Sequence, residues 1–165
     1  MQRLYEGTWP NSCNEQWHII RQKAVEGIMF LQHPTSTPIL RILLVEDHMR
    51  IRQLEFEALD NLGYEVQAAA TGDEALQLLA GAPYDLVITD VRLPGGVDGI
   101  ELAHRAKEIL NRPKTLVVGA YLECYPREKF KAVADAVLRK PFTHKEFKGQ
   151  VASLIGLPSR RETAA

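Results

Sequence analysis

The sequence predicts an α/β fold, a doubly wound five-stranded parallel sheet with helices on both faces, beginning near Ile39. Three observations carry this prediction. From Ile39 onward, short apolar runs alternate with stretches of helical period. Three of the five runs are near-continuously apolar, as strands covered on both faces are. The helical stretches are set off by caps and breakers, so that strand follows helix in a steady order that favours parallel pairing through crossovers.

The first strand is expected in ILRILLV, Ile39 to Val45. A helix follows with Ile51, Leu54, Ala58 and Leu62 on one face, and Gly63 is placed to end it. YEVQAAA, Tyr64 to Ala70, reads as the second strand, and Thr71 with Glu74 has capping-box spacing ahead of the helix over Ala75 to Leu79. The third strand, YDLVIT from Tyr84 to Thr89, runs into Asp90. Ile100, Ala103, Ala106 or Lys107, and Leu110 suit a third helix, closed by Pro113. TLVVGA, Thr115 to Ala120, is the fourth strand, and Pro126 opens a short helix carrying Phe130, Val133 and Ala134. AVLR, Ala136 to Arg139, is the fifth strand; Thr143 and Glu146 then repeat the capping-box spacing before Phe147, Val151 and Leu154.

Composition narrows the function. A formal net charge of -1 argues against a broadly basic surface that holds nucleic acid by its phosphates. No apolar run has the length of a membrane span, and the start MQRLYEGTWPNS lacks the order of a secretory signal. Cys13 and Cys124 make neither a disulfide framework nor a metal-ligand pattern, so a cytoplasmic location is expected. His48 beside the acidic pair reads as a surface residue at a helix start, and Gly95-Gly96 as a turn rather than a phosphate loop.

In a doubly wound sheet, ligands bind beyond the carboxyl ends of the strands. There the first strand ends in Glu46-Asp47, the third in Asp90, and the fifth runs into Lys140-Pro141. Three carboxylates brought together repel one another, and a divalent cation removes that repulsion. Magnesium suits such a site because it takes a few carboxylates, keeps waters and uses phosphate oxygens as further ligands. Lys140 would add positive charge across from an incoming phosphoryl group.

The segments RILLVEDH, DLVITDVRLPGGVDGIEL and LRKPF resemble the response-regulator receiver family of two-component signalling, from about Ile39 to Gly156. That resemblance implies a flavodoxin-like sheet of order 2-1-3-4-5 and a receiver domain over residues 39–156. It implies Asp90 as phospho-acceptor, with Lys140 contacting the phosphate. Mg2+ would be held by Asp47, Asp90 and the backbone carbonyl of Arg92, with Glu46 acting through water. The Lys140-Pro141 bond is expected to be cis. The implied donor is a histidine kinase or a histidine phosphotransfer protein, and output would pass to a protein partner through the fourth-helix to fifth-helix face. Neither nucleic acid nor membrane is an expected partner, and no enzyme activity is expected beyond self-phosphorylation and self-dephosphorylation.

Two positions depart from the family pattern. Gly119-Ala120 stands where a hydroxyl residue is usual, and Val137 where an aromatic is usual, so the ordinary switch lacks both parts. Tyr121 is a candidate replacement, and Arg92 and Tyr121 border the approach of hydrolytic water. The alternative function is a pseudo-receiver, a phosphorylation-independent binding module. An aspartyl phosphatase is disfavoured because Arg92 stands where such enzymes carry a second Asp. Residues 1–38 read as an extension: Trp17, Ile20, Ala24, Ile28 and Leu31 have helical spacing, Ser12 with Glu15 could cap them, and HPTSTP reads as a linker. Residues 157–165 read as a tail with no output domain attached.

Overall fold

A computed structural model describes residues 39–158. The proposed helix of the extension, the HPTSTP linker and the tail from Ser159 lie outside the described residues. Strands and helices alternate: β1 (Arg41–Val45), α1 (Met49–Asp60), β2 (Glu65–Ala69), α2 (Gly72–Gly81), β3 (Leu86–Asp90), α3 (Gly99–Glu108), β4 (Lys114–Gly119), a 3₁₀ turn (Leu122–Cys124), α4 (Arg127–Val133), β5 (Ala136–Arg139) and α5 (His144–Ile155).

All four strand pairings are parallel, in the order β2-β1-β3-β4-β5. The three near-continuous apolar runs are the three inner strands, as two-sided burial requires. Alternation along them splits the core. Ile42, Leu44, Ile88 and Val118 pack with Leu59, Phe147 and Val151 of α1 and α5. Leu43, Val45 and Val87 face the other way, onto Ala75 and Leu79 of α2 and Leu102 and Ala106 of α3. Each large side chain so buried contributes about 1.5–3 kcal/mol, which fixes the register because a one-residue slip would turn every inward side chain outward. In that register Val45 lies beside Thr89, Asp90 beside Val118 and Gly119 beside Arg139, so one sheet edge collects these strand ends.

The helices differ from the sequence reading in detail. Leu54, expected on the inner face of α1, is 53% exposed, and Glu55 is buried with Ala58 and Leu59. Of the expected stripe, Ala58 is buried and Leu62 packs against the core, but Leu59 is the fully buried contact, which brings Glu55 inward and leaves Leu54 outside. The helix stops at Asp60, and Gly63 has φ 95, a conformation that suits glycine after a helix end. Leu110, expected to complete α3, is 98% exposed: the helix ends at Glu108 and Ile109 is already extended. The Thr143–Glu146 capping box is complete, whereas the Thr71 box is half formed. Thr71 Oγ1 accepts from the Glu74 amide, but the Glu74 carboxylate accepts from Ala70 instead of Thr71.

Candidate functional site

Three strand ends bring charge to one edge. Glu46 follows β1 and is buried at 3% exposure, while Asp47, one residue further on, is exposed. The Glu46 amide still donates to Ala69 across the ladder, so Glu46 is held as an extension of the strand. Asp90 is the last residue of β3. Lys140 follows β5, where its amide donates to the Gly119 carbonyl at 2.8 Å and the Lys140-Pro141 bond is cis. Gly99 opens α3 against the Asp90 carbonyl, and an added Cβ would run into that carbonyl. A glycine is therefore needed for α3 to pack this close.

The Lys140 ammonium donates to Glu46 Oε2 at 2.6 Å and to Asp90 Oδ2. The remaining oxygens are also engaged: Glu46 Oε1 accepts from the His48 amide at 3.1 Å, and Asp90 Oδ1 from the Arg92 amide at 3.0 Å. Burial works to lower the Lys140 pKa, but hydrogen bonds to Asp90 and Glu46 outweigh it, so the ammonium is held above its ordinary value. Burial pushes the Glu46 carboxyl upward despite Lys140. The two directions agree with the geometry: one cation shared by two carboxylates gains more than either carboxylate does.

Sequence reading anticipated three carboxylates gathered at this edge. Two of them, Glu46 and Asp90, meet at Lys140, and among the described residues no group of three metal-binding side chains stands together. Asp47 and Asp90 line a cleft of about 230 Å3, whose wall also includes Arg92, Gly119, Tyr121 and Lys140. The two unusual positions lie nearby. A Cβ on Gly119 would come 2.7 Å from Leu122 Cδ2 and 2.9 Å from Val91 Cγ2, so neighbouring apolar side chains occupy the space a hydroxyl residue would need. Val137, on edge strand β5, is 38% exposed beside a separate groove along α4. His48 is exposed at the N-cap of α1 without a side-chain cap, as a surface residue would be.

Two residues escaped sequence reading. Glu55 is 7% exposed, and its Oε1 is the buried side-chain polar atom without a hydrogen-bond partner among the described residues. Burial is the main cause that pushes its carboxyl up to about 7, with Glu46 and Asp90 adding to the rise and Lys140 opposing it. The available signal was its position four residues after Ile51 and four before Leu59. Tyr125 lines both the cleft and the α4 groove. Nothing in its local sequence marks it.

The profile of the response regulator receiver domain matches residues 42–152. Response regulator receiver protein CpdR of Brucella abortus is 34% identical over 116 residues, covering 70% of this chain and 96% of the relative. Sporulation initiation phosphotransferase F of Bacillus subtilis is 32% identical, covering 72% of this chain and 96% of the relative. Transcriptional regulatory protein ResD of the same organism is 33% identical over 70% of this chain, but the match spans 48% of that relative's length. Among solved structures, Thermotoga maritima response regulator TrrA, in complex with Mg(2+)-BeF, is 35% identical with a TM-score of 0.64, covering 70% of this chain and 99% of that one. The receiver domain of sensor histidine kinase PA1611 from Pseudomonas aeruginosa, with magnesium in its active site cleft, is 29% identical with a TM-score of 0.65, covering 72% and 99%.

Proposed function

The chain belongs to the response regulator receiver family of two-component systems, and from that premise we propose that Asp90 accepts a phosphoryl group from the phosphohistidine of a histidine kinase or a histidine phosphotransfer protein. The observation that carries this reading is the Asp90 carboxylate at the end of central strand β3, lining an open cleft and bonded to Lys140. A carboxylate oxygen of Asp90 attacks phosphorus and the bond from phosphorus to the histidine nitrogen breaks. The imidazole leaves with the bonding electron pair and takes up a proton. The product is an acyl phosphate on Asp90. Water later attacks the phosphorus in line, releases inorganic phosphate and restores the carboxylate.

Little covalent chemistry is left for other residues, so positioning and charge neutralisation dominate. The Arg92 amide orients Asp90 Oδ1, and Lys140 brings the positive charge that the transferred oxygens require. The donor chemistry fits magnesium: Asp47 and Asp90 put two hard carboxylates on one cleft beside Arg92. Asp47, Asp90 and the Arg92 carbonyl would hold the ion, with Glu46 acting through water. When bound, the ion neutralises the carboxylates and takes phosphoryl oxygens as ligands.

CpdR and phosphotransferase F, each matched over 96% of its length, support reading residues 39–156 as a stand-alone receiver, and a cytoplasmic location belongs to the same proposal. Its output would run through a protein partner on the face from α4 to α5, without direct contact to nucleic acid or membrane. Incubation with a small-molecule phosphodonor and magnesium tests the acceptor. Acid-stable mass gain should be absent, and hydroxylamine-sensitive phosphate should appear on the wild type and vanish in Asp90→Asn. Label that persists in the variant would move the acceptor elsewhere. A second reading, the phosphorylation-independent binding module, is favoured by the apolar filling around Gly119 and by Val137. Failure to incorporate phosphate from any donor would select it.

A further inference from the structure

A phosphoryl group on Asp90 brings oxygens that need hydrogen-bond donors in the cleft. Lys140 already serves Glu46 and Asp90, and Gly119 has no side chain to give. Two tyrosines, Tyr121 and Tyr125, do line the cleft. They are not equivalent. Tyr121 is 63% exposed, so its hydroxyl is matched by water. Tyr125 is half-buried, and its ring meets Phe130 edge-on at 5.8 Å between centroids. It packs on the cluster of Val91, Val117 and Phe130, next to the acceptor strand.

The Tyr125 hydroxyl is also committed differently from those of the core tyrosines. The other tyrosines buried in the fold spend theirs: Tyr64 donates to the Gly156 carbonyl at 2.6 Å and Tyr84 to Gln67 at 2.5 Å. Tyr125 instead shares a side-chain hydrogen bond with the exposed Arg92 guanidinium, which holds that guanidinium above its ordinary value. At its other side, Tyr125 lines the groove of about 620 Å3 between α4 and β5, shared with Phe130 and Val137. A salt bridge from Glu123 to Arg139 at 3.2 Å ties the 3₁₀ turn preceding Tyr125 to β5.

We infer that Tyr125 contacts the phosphoryl group on Asp90 through its hydroxyl and carries the event to the α4–β5 groove through its ring. One side chain then supplies both a phosphoryl-directed hydroxyl and a movable aromatic. The inference rests on Asp90 being the acceptor. Its energetic basis is a contact that differs between the two states: the hydroxyl meets water or Arg92 before phosphorylation and a phosphoryl oxygen after it. Leu122 must move with it, since Leu122 borders the same two spaces and fills the position next to Gly119.

The test uses the full chain with magnesium and beryllofluoride, a phosphoryl mimic, and compares wild type, Tyr125→Phe and Tyr121→Phe by amide shifts. Tyr125→Phe keeps the ring and removes one donor. It should bind beryllofluoride about fivefold more weakly, the loss of one ordinary hydrogen bond. Shift changes at Phe130 and Val137 should fall by at least half, while those at Arg92 and Lys140 persist. Tyr121→Phe should match the wild type. Tyrosine labelled at the ring carbon bearing oxygen gives a readout in the unmutated chain, in which the Tyr125 signal should move and the Tyr121 signal stay. Unchanged affinity and groove shifts in Tyr125→Phe, a loss in Tyr121→Phe instead, or a stationary Tyr125 signal would each overturn the inference while leaving Asp90 as acceptor. Absence of beryllofluoride binding by the wild type would overturn the acceptor reading and this inference together.

Discussion

Glu55→Gln isolates the buried acid of α1. The Glu55 carboxyl is pushed from its ordinary 4.5 to about 7, first by burial. A carboxyl whose folded pKa is raised contributes stability that is fully present below about 4.5 and is lost as pH rises through about 7. Each pH unit between those values removes about 1.4 kcal/mol, so the whole window removes about 3 kcal/mol. Gln keeps the shape, cannot ionise and still occupies the crevice bounded by Phe142, His144 and Phe147. Denaturant unfolding of both proteins at pH 5, 6, 7 and 8 isolates the effect, because other titrating groups cancel in the difference. At pH 5 the two should differ little. At pH 8 the variant should be more stable by about 2–3 kcal/mol, a large part of the stability of a domain this size. A difference that stays constant from pH 5 to pH 8 would refute the reasoning, since it would mean that Glu55 titrates alike in both states. The nearest charges that set its value are Glu46, Lys140 and Asp90. A paired Glu46→Gln should therefore shift the Glu55 midpoint downward.

Two further outcomes follow from local geometry. Asp135 binds Lys107, Lys114 and the Thr115 amide, and these contacts outweigh burial and hold its carboxyl down at about 2. Its contribution is present above its ordinary 3.8 and lost as pH falls through about 2. Asp135→Asn should therefore cost about 1 kcal/mol at pH 7, allowing for solvent screening, and most of that cost should be gone at pH 2. A pH-independent loss in paired unfolding curves would refute the assignment. Gly119→Thr should destabilise by about 1–2 kcal/mol, because Leu122 and Val91 already occupy the added volume. Leu122→Ala in the same chain should recover part of it, and additive losses would show that Leu122 is not the obstacle.

The sheet was legible because its signal is strong and local. Ile42 to Val45, Leu86 to Ile88 and Leu116 to Val118 are apolar on both faces, and only inner strands of a covered sheet need that. Asp90 and Lys140 were legible because the sheet order puts the ends of β3 and β5 on one edge, with Glu46 after β1. Helix faces were less so. The choice between Leu54 and Glu55 turns on rotation by one residue, and hydropathy alone prefers the leucine inside. Docking of Leu59 on the sheet decides the rotation, and that is a tertiary contact. Tyr125 is harder still. Its proximity to Asp90 depends on the path of the 3₁₀ turn after β4, which no periodicity encodes.

The same edge explains why Glu55, among the described residues, is left without a side-chain hydrogen-bond partner. Three acids, Glu46, Glu55 and Asp90, act on one another across the ends of β1 and β3, and Lys140 is the cation that reaches into them. Its donors are already directed at Glu46 and Asp90. Arg52, on the same helix as Glu55, is turned to the carbonyls of Glu46 and Asp47, with N–O distances of 2.5 and 3.1 Å. One cation offsets two buried carboxylates only by sharing, and a third would leave excess negative charge where water is largely excluded. Neutralisation by a proton is the remaining route, and burial makes Glu55 the acid that takes it. Any cation added to this edge acts on Glu55 as well, in the direction of releasing that proton, so charge around Asp90 and protonation in the α1 core belong to one electrostatic unit.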